Sequence, residues 1–436
     1  MMPLSLIVRA EGHHVTGSDR SLDQGRVSGK FDWLIQQDIA LFPQDGSGVT
    51  SADQIIVAST AVEDSVPDIA TATRLGCERL SRADLLAQLF NASTQGIAVA
   101  GTSGKSTVTG MIGWIFHTLG KDPTVMNGAV MKNFVSDNAP FASALVGTGD
   151  AFISEVDESD GSIALYRPDI AVLNNIALDH KSMDELRELF TGFVSHARIA
   201  VLNADSEDVM ALPRGEAITY SINGATADLM AQEIAERPEG VDFTVNDVAV
   251  SLQAPGRHNV SNALAALGAS MAAGISLPDA AMALAGFIGL RRRLEVVGTA
   301  NGITVIDDFG HNPDKIAATL NALHAFPGRL LLFFQPHGYG PLRLMGADLG
   351  RMLRDKMAED DRFVICDPVY YGGTVDQSVG SETIVDVIGD RAQYFASRDD
   401  CASRLIAMAR PDDRIVIMGA RDDTLSQFAR DILARL

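Results

Sequence analysis

Apolar residues at Val108, Met111, Ile112, Ile115, Phe116 and Leu119 recur at spacings of three and four, which lays one stripe along a helix that Gly120 ends. Directly before that helix, residues 97–100 form a short apolar run that predicts a strand, with a glycine-rich turn between the two. Further strands are predicted at 151–154 and 170–173. Residues 205–252 are more polar and irregular and predict a small sheet, whereas 262–273 reads as an Ala-rich buried helix. Upstream, residues 1–90 alternate apolar helical stretches with short β-rich runs such as 54–58, followed by a helix-like segment ending near Phe90. The small, polar run 91–96 predicts a turn and places the first boundary there. After Arg291-Arg292-Arg293, runs at 304–306, 330–334, 363–366 and 414–418 alternate with helical stretches, which predicts a parallel sheet covered by helices on both faces. The fold class is α/β, without internal repeats.

Length and composition add limits. A chain of 436 residues suits roughly three domains at about 150 residues each, and the expected division is 1–92, 93–290 and 291–436. Apolar residues at 46% and charged residues at 21% describe a globular protein. Lys and Arg number 35 against 56 Asp and Glu, a formal charge of −21. Such a field repels phosphate backbones and anionic lipid, so neither nucleic acid nor a membrane surface is an expected partner. An anionic substrate must then be held by local donors. The three cysteines, Cys77, Cys366 and Cys401, offer neither a disulfide framework nor a C-x-x-C metal pair. No apolar run reaches the roughly 20 residues of a membrane span, and residues 1–20 carry Arg9, Glu11 and His13 where a signal peptide needs an apolar core. A cytoplasmic protein is expected; its oligomeric state stays open.

The strongest chemical signal is Gly101-Thr102-Ser103-Gly104-Lys105-Ser106-Thr107, between the strand and the amphipathic helix. Glycines let backbone N–H groups close around phosphate oxygens, the helix N-terminus adds partial positive charge, Lys105 adds a full one, and Ser106 can ligate Mg²⁺. The full G-x-x-x-x-G-K spacing would need glycine at Val99, so this is a shortened relative of that motif. A second signal is Ser154-Glu155-Val156-Asp157-Glu158-Ser159-Asp160 at the end of a predicted strand. Crowded carboxylates repel unless a cation joins them, and Glu155, read as the first polar side chain beyond the strand, is the expected Mg²⁺ ligand. The plain alternative is a solvated acidic turn. In Asn174-Asn175-Ile176-Ala177-Leu178-Asp179-His180, His180 could ligate a second metal or bond a phosphate, or the Asp-His pair could cap a helix.

Taken in order, these segments, together with Pro255-Gly256-Arg257-His258-Asn259 and Asn262, the Arg292-Arg293 pair and Asp307-Asp308-Phe309-Gly310-His311-Asn312-Pro313, resemble the Mur ligases along nearly the whole chain. The resemblance is closest to the branch that attaches alanine or a murein tripeptide to UDP-N-acetylmuramate. It implies a UDP-sugar domain, a central ATPase domain and a C-terminal Rossmann-like domain that closes over the nucleotide. It implies ATP and Mg²⁺ as cofactors, and an acyl phosphate that an incoming amine attacks. By the same resemblance Lys105, Glu155, His180, Arg292 and Arg293 are catalytic, and Ser106, Glu155 and His180 hold the metal. Asn259, Asn262, Asp307 and Asp308 join the loop residues at the nucleotide. Ser18 and Asp19, in the family's Thr-Gly-Ser-Asp signature, and His311, His337 and Arg343 meet the substrates.

The sequence also departs from the pattern. Ligases of this branch begin with a strand and a Gly-x-Gly-Gly-x-Gly-Met loop around the UDP pyrophosphate, whereas this chain opens at Met1-Met2-Pro3-Leu4, which aligns just after that loop. A truncated first domain is therefore expected, with Leu4, Leu6, Ile7 and Val8 lacking a sheet to cover and the gene product beginning upstream. Alanine-adding relatives resemble Gln-Pro-His-Arg-Tyr/Phe-Thr-Arg, but Gly338 and Gly340 stand here within Gln335-Pro336-His337-Gly338-Tyr339-Gly340-Pro341-Leu342-Arg343. An acceptor other than free alanine is expected. The stretch 194–198 lacks the lysine that members adding glutamate or diaminopimelate carbamylate. Two alternatives remain at this level: a degenerate ligase that binds ATP in a regulatory role, and a ligase for a non-murein acid.

Overall fold

The computed structural model describes residues 1–25, 28–59, 62–177, 181–369, 376–420, 422 and 424–436. The chain divides into two compact units, Met1–Gly289 and Leu290–Leu436.

In the first unit the strand Gln95–Ala100 lies between Ile170–Leu173 and Ala151–Glu155, both parallel to it. From Gly96 to Ala100 it is buried at every position, as befits a strand covered on both faces. Outward from Ala151–Glu155 come Thr124–Met126 and then Ala144–Leu145, the latter antiparallel. On the other side Ile199–Asn203, Ala217–Ser221 and Leu229–Arg237 continue the parallel run, and Gly240–Val245 and Val248–Leu252 close it antiparallel, a ten-stranded sheet among the described residues. The irregular region expected as a small sheet is thus the extension of this one. Its Asn246-Asp247 turn, with both φ positive, explains the polar sequence: a two-residue hairpin needs such residues.

Two helices pack together next to the 101–104 loop. Lys105–Thr118 packs on Arg257–Ala272, which begins earlier than its Ala-rich stretch suggested. The small residues of the second helix let it lie close on the sheet; a Cβ at Gly268 would stand 2.8 Å from Val201 Cγ1.

Residues 1–92 lie within the first unit. They carry two separate two-stranded parallel pairs, Thr16–Gly17 with Ala40–Leu41 and Ile56–Ala58 with Arg79–Ser81. Leu4 and Ile7 do find cover: they are 1% and 2% exposed, in one core with Phe90, Met126, Phe152 and Val156. Leu6 packs instead against Phe31, Trp33, Leu34 and Ile39. The expected turn shrinks to Ser93-Thr94, because the helix Arg82–Ala92 runs on and the next strand starts at Gln95.

Among the described residues the second unit holds a six-stranded sheet in the order Glu295–Ala300, Ile303–Asp308, Arg414–Gly419, Leu330–Gln335, Arg362–Ile365, Ala392–Tyr394. The four strands expected from the sequence pair in parallel, and the sheet gains an antiparallel edge strand, Glu295–Ala300, because Asn301-Gly302 turns the chain straight back. Leu330, Leu332 and Phe334 face one core and Leu331 and Phe333 the other, so helices cover both faces. Cys366 and Cys401, distant in sequence, meet in the second of these cores as free thiols, and the Cys401 thiol together with burial pushes Cys366 up.

Candidate active site

Because Gln95–Ala100, Ala151–Glu155 and Ile170–Leu173 run parallel in close register, their carboxyl ends deliver Gly101, Glu155 and Asn174 side by side. The loop needs its glycines. Gly101 and Gly104 have φ of +124° and +87°, and a Cβ at Gly101 would meet the Asn174 and Asn175 backbone at 3.1–3.2 Å. At Gly104 it would strike Asn262 Oδ1 at 2.5 Å and Asn174 Nδ2 at 2.7 Å. Gly104 also caps Lys105–Thr118 without a side-chain acceptor, so the first amides of this helix face the loop.

Asn174 and Asn175 lace the loop down. Ser103 N donates to Asn175 Oδ1 (2.9 Å), Thr102 N to Asn175 O (3.2 Å), and Asn174 Nδ2 to Ser103 O (3.3 Å). Asn174 is itself held by Tyr220 Oη, which donates to its Oδ1 (3.2 Å), and by Asn203 Nδ2, which donates to its carbonyl (2.9 Å). Burial raises the Tyr220 phenol far above its ordinary range, so it stays a donor.

Lys105 Nζ donates to Gly101 O (2.8 Å) and to both Glu158 oxygens (2.9 and 3.2 Å). Ser106 Oγ donates to Glu155 Oε2 (2.6 Å). Glu155 is the last residue of its strand, which runs one position further than expected, and a Cβ on Gly128 would stand 1.9 Å from its Oε1. Asn127 Nδ2 ties that neighbouring turn to Ser106 O (3.0 Å). Burial pushes the Asp157 carboxyl up, but the Ser159 amide and the Lys105 charge outweigh it and hold Asp157 below the usual carboxylate range. Asp157 is therefore charged. Oxygen donors of this kind suit a divalent cation that keeps most of its waters; no cluster of three or more His, Cys, Asp or Glu stands ready among the described residues. His180 lies outside the described residues.

Of the other expected residues in this unit, Asn262 reaches the loop at Gly104 and is braced by Asn259, whose Oδ1 accepts its Nδ2 (3.1 Å). Thr107 sits in the first helical turn. Ser18 bonds Asp68 at the start of the helix Pro67–Leu75, and Asp19 caps the short helix Arg20–Asp23 through Ser21 N (2.7 Å).

In the second unit Arg292 is a buried tie. It has φ of +58°, and its guanidinium reaches Asp307 Oδ1 (3.3 Å), Gly419 O (2.7 Å) and Asp422 O (3.2 Å). The expected reach to a phosphate is thus spent inside the unit by Arg292. Arg293 stands with its guanidinium 4.7 Å from the Phe309 ring centre. Asp307 also accepts from Ser426 Oγ (2.7 Å), and burial raises its pKa against the pull of Arg292. Asp308 holds its own loop: it accepts from Leu294 N, Gly310 N and Thr319 Oγ1 at 2.8–2.9 Å. His311 shares a bond with Phe309 O through Nδ1 (2.8 Å), and its ring meets His337 edge-on at 5.2 Å. Burial and the Lys315 charge lower it to about 3, so it is neutral. Arg343 pairs with Asp376 at the surface (3.0 Å).

Sequence reasoning passed over Asn127, Gly128, Tyr220 and the brace from Asn203. A polar residue closing an apolar strand was the available signal for Asn203; Tyr220 carried none.

Loop, helix and strand-end carboxylate define a phosphate-binding α/β protein. The chain belongs to the Mur ligase family: it matches the Mur ligase catalytic domain over residues 1–94, the Mur ligase middle domain over 99–270 and the Mur ligase glutamate ligase domain over 292–421. Among its relatives, the UDP-N-acetylmuramate–L-alanine ligase of Agrobacterium fabrum is 32% identical over 97% of this chain and 92% of its own length. That of Streptomyces avermitilis is 34% identical over 87% and 84%. The UDP-N-acetylmuramate-alanine ligase structure from Thermotoga maritima superposes with a TM-score of 0.82 at 21% identity, covering 100% of this chain and 96% of its own. The murein peptide ligase of Psychrobacter arcticus gives 0.73 at 25% identity, with 100% and 96% covered. No helix among the described residues is long and apolar enough to cross a membrane.

Proposed function

We propose that this chain is an ATP-dependent ligase that joins the carboxylate of a UDP-N-acetylmuramate-type substrate to the amine of an amino acid or peptide, in the synthesis or recycling of peptidoglycan precursors in the cytoplasm. The observation that carries this reading is the 101–107 loop with Lys105 and Ser106 set against a strand-end carboxylate, Glu155, in a Mur ligase chain.

A carboxylate is a poor electrophile, and phosphorylation supplies the leaving group that an amine can displace. Both partners in the first step are negative. Lys105 neutralises charge on the transferring phosphoryl group, and the amides of the glycine loop and helix N-terminus hold it in line. Ser106 and Glu155, with oxygens 2.6 Å apart, are the residues that would hold Mg²⁺, with His180 as a further ligand. When bound, the ion adds positive charge at the phosphates. The asparagine lacing of 174–175 makes the loop rigid before ATP arrives, so ordering costs little on binding. Asn259 and Asn262 flank the nucleotide. In the second unit Arg293, His311, His337 and Arg343 are the candidate substrate contacts, whereas the Asp307 and Asp308 carboxylates are taken up within the unit by Arg292, Ser426, Gly310 and Thr319. A neutral His311 is a hydrogen-bonding group for the amine substrate and adds no charge.

One observation favours an acceptor other than free alanine. Gly338 has φ of +137°, and Gly340 has open space around it, so neither volume nor cation stands where alanine-adding relatives resemble an arginine. The deciding experiment is phosphate release with ATP, Mg²⁺ and UDP-N-acetylmuramate against a panel of amines including alanine and murein tripeptide. Amine-dependent release is expected. Its absence with every amine, alongside intact ATP binding, would favour the regulatory binder; alanine far ahead of all other amines would sink the acceptor proposal.

A further inference from the structure

Lys105 carries three N–H donors, and all three are engaged inside the protein: one by Gly101 O and two by the Glu158 carboxylate. This pair is shielded, with side chains 20% and 7% exposed. Among the described residues Lys105 is the cationic partner of Glu158, so the pair cannot be opened without leaving a buried carboxylate unpaired. A phosphate oxygen that reaches Nζ must displace an acceptor. Gly101 O belongs to a loop fixed by Asn174 and Asn175, so the acceptor that yields is the side chain.

We propose that Glu158 is a positioning residue of the phosphate loop: it holds Lys105 at the loop mouth as a counter-ion and is exchanged for nucleotide phosphate when ATP binds. This rests on the reading of 101–107 as the nucleotide site. The exchange sets affinity. Every ATP that binds must strip a charge-assisted contact from Lys105, so the site binds ATP more weakly than its donors alone would allow. Glu158 thereby differs from Glu155, whose bonded partner is the Ser106 hydroxyl and whose distance to it suits shared ligation.

The test measures ATP affinity by calorimetry in the presence of EDTA, at one fixed salt concentration, so that neither metal nor turnover contributes. Glu158→Gln keeps the shape and removes the charge, and should tighten ATP binding about tenfold. In a Lys105→Met background the same change should alter affinity by less than about twofold, because the exchange has no second partner. Weaker or unchanged binding in Glu158→Gln overturns the proposal. So does an equal gain without the lysine, which would mark simple repulsion between Glu158 and the nucleotide. Should Glu158→Gln fail to fold, Glu158→Asp decides, since it keeps the charge but shortens the reach: tighter binding supports exchange, and no gain refutes it. If Lys105→Met alone leaves affinity untouched, the nucleotide site itself is misplaced, a failure distinct from that of Glu158.

Discussion

Ser106 Oγ and Glu155 Oε2 stand 2.6 Å apart, and the Gly128 main chain closes in so tightly that a Cβ there would lie 1.9 Å from the other carboxylate oxygen. The carboxylate is thus fixed from two sides. Gly128→Ala must rotate it away from Ser106, and the half-saturating Mg²⁺ concentration for phosphate release should rise about tenfold or more. A Mg²⁺ titration of the variant that overlays the parent would show that Glu155 is not the ligand.

Lys105→Ala removes the charge that faces the phosphates. The rate should fall on the order of a hundredfold or more, several kcal/mol of transition-state stabilisation. It also leaves Glu158 buried without its cation, so thermal unfolding should be followed in parallel. Near-normal turnover would place ATP elsewhere.

Arg292→Ala should act on stability first. Asp307 is 1% exposed and loses its cation, while Gly419 O and Asp422 O lose a donor. A buried pair broken on one side costs about 3–5 kcal/mol, readable as a lower urea midpoint. Arg293→Ala gives up a contact over the Phe309 ring worth about 1 kcal/mol and should lower the midpoint less than Arg292→Ala does. Equal losses in the two variants would refute the distinction.

His311 sets a pH dependence. Its folded value is about 3 against an ordinary 6.5, so between these limits the unfolded chain binds a proton that the folded chain refuses. Stability from this residue is therefore complete above about pH 6.5 and is lost as pH falls towards 3. Denaturation midpoints of the parent should drop faster than those of His311→Gln between pH 6.5 and 4. In activity, no imidazole limb near pH 6.5 should come from His311; such a limb abolished by His311→Gln would contradict its neutrality.

The sequence alone determined what short-range physics dictates. The helix Lys105–Thr118 follows from apolar spacing, the loop before it from Gly101 and Gly104, and the strand Ile170–Leu173 from an unbroken apolar run. The order of motifs determined the family. Which partners these residues take was decided only by the tertiary structure, because side-chain contacts join positions far apart in the chain. Lys105 meets Glu158, fifty-three positions on, and Tyr220 reaches Asn174 from forty-six away. Leu4 and Ile7 found their cover on Phe152 and Met126, which no local pattern near Met1 could announce. Arg292 and Arg293 are adjacent in sequence and both lie over the Phe309 ring, yet only the first, with its positive φ, is tied to Asp307, Gly419 and Asp422 as a buried brace of the unit. Periodicity reports which face a residue lies on, and burial, charge pairing and backbone strain then select its neighbour, which is information that exists only once the chain has closed on itself.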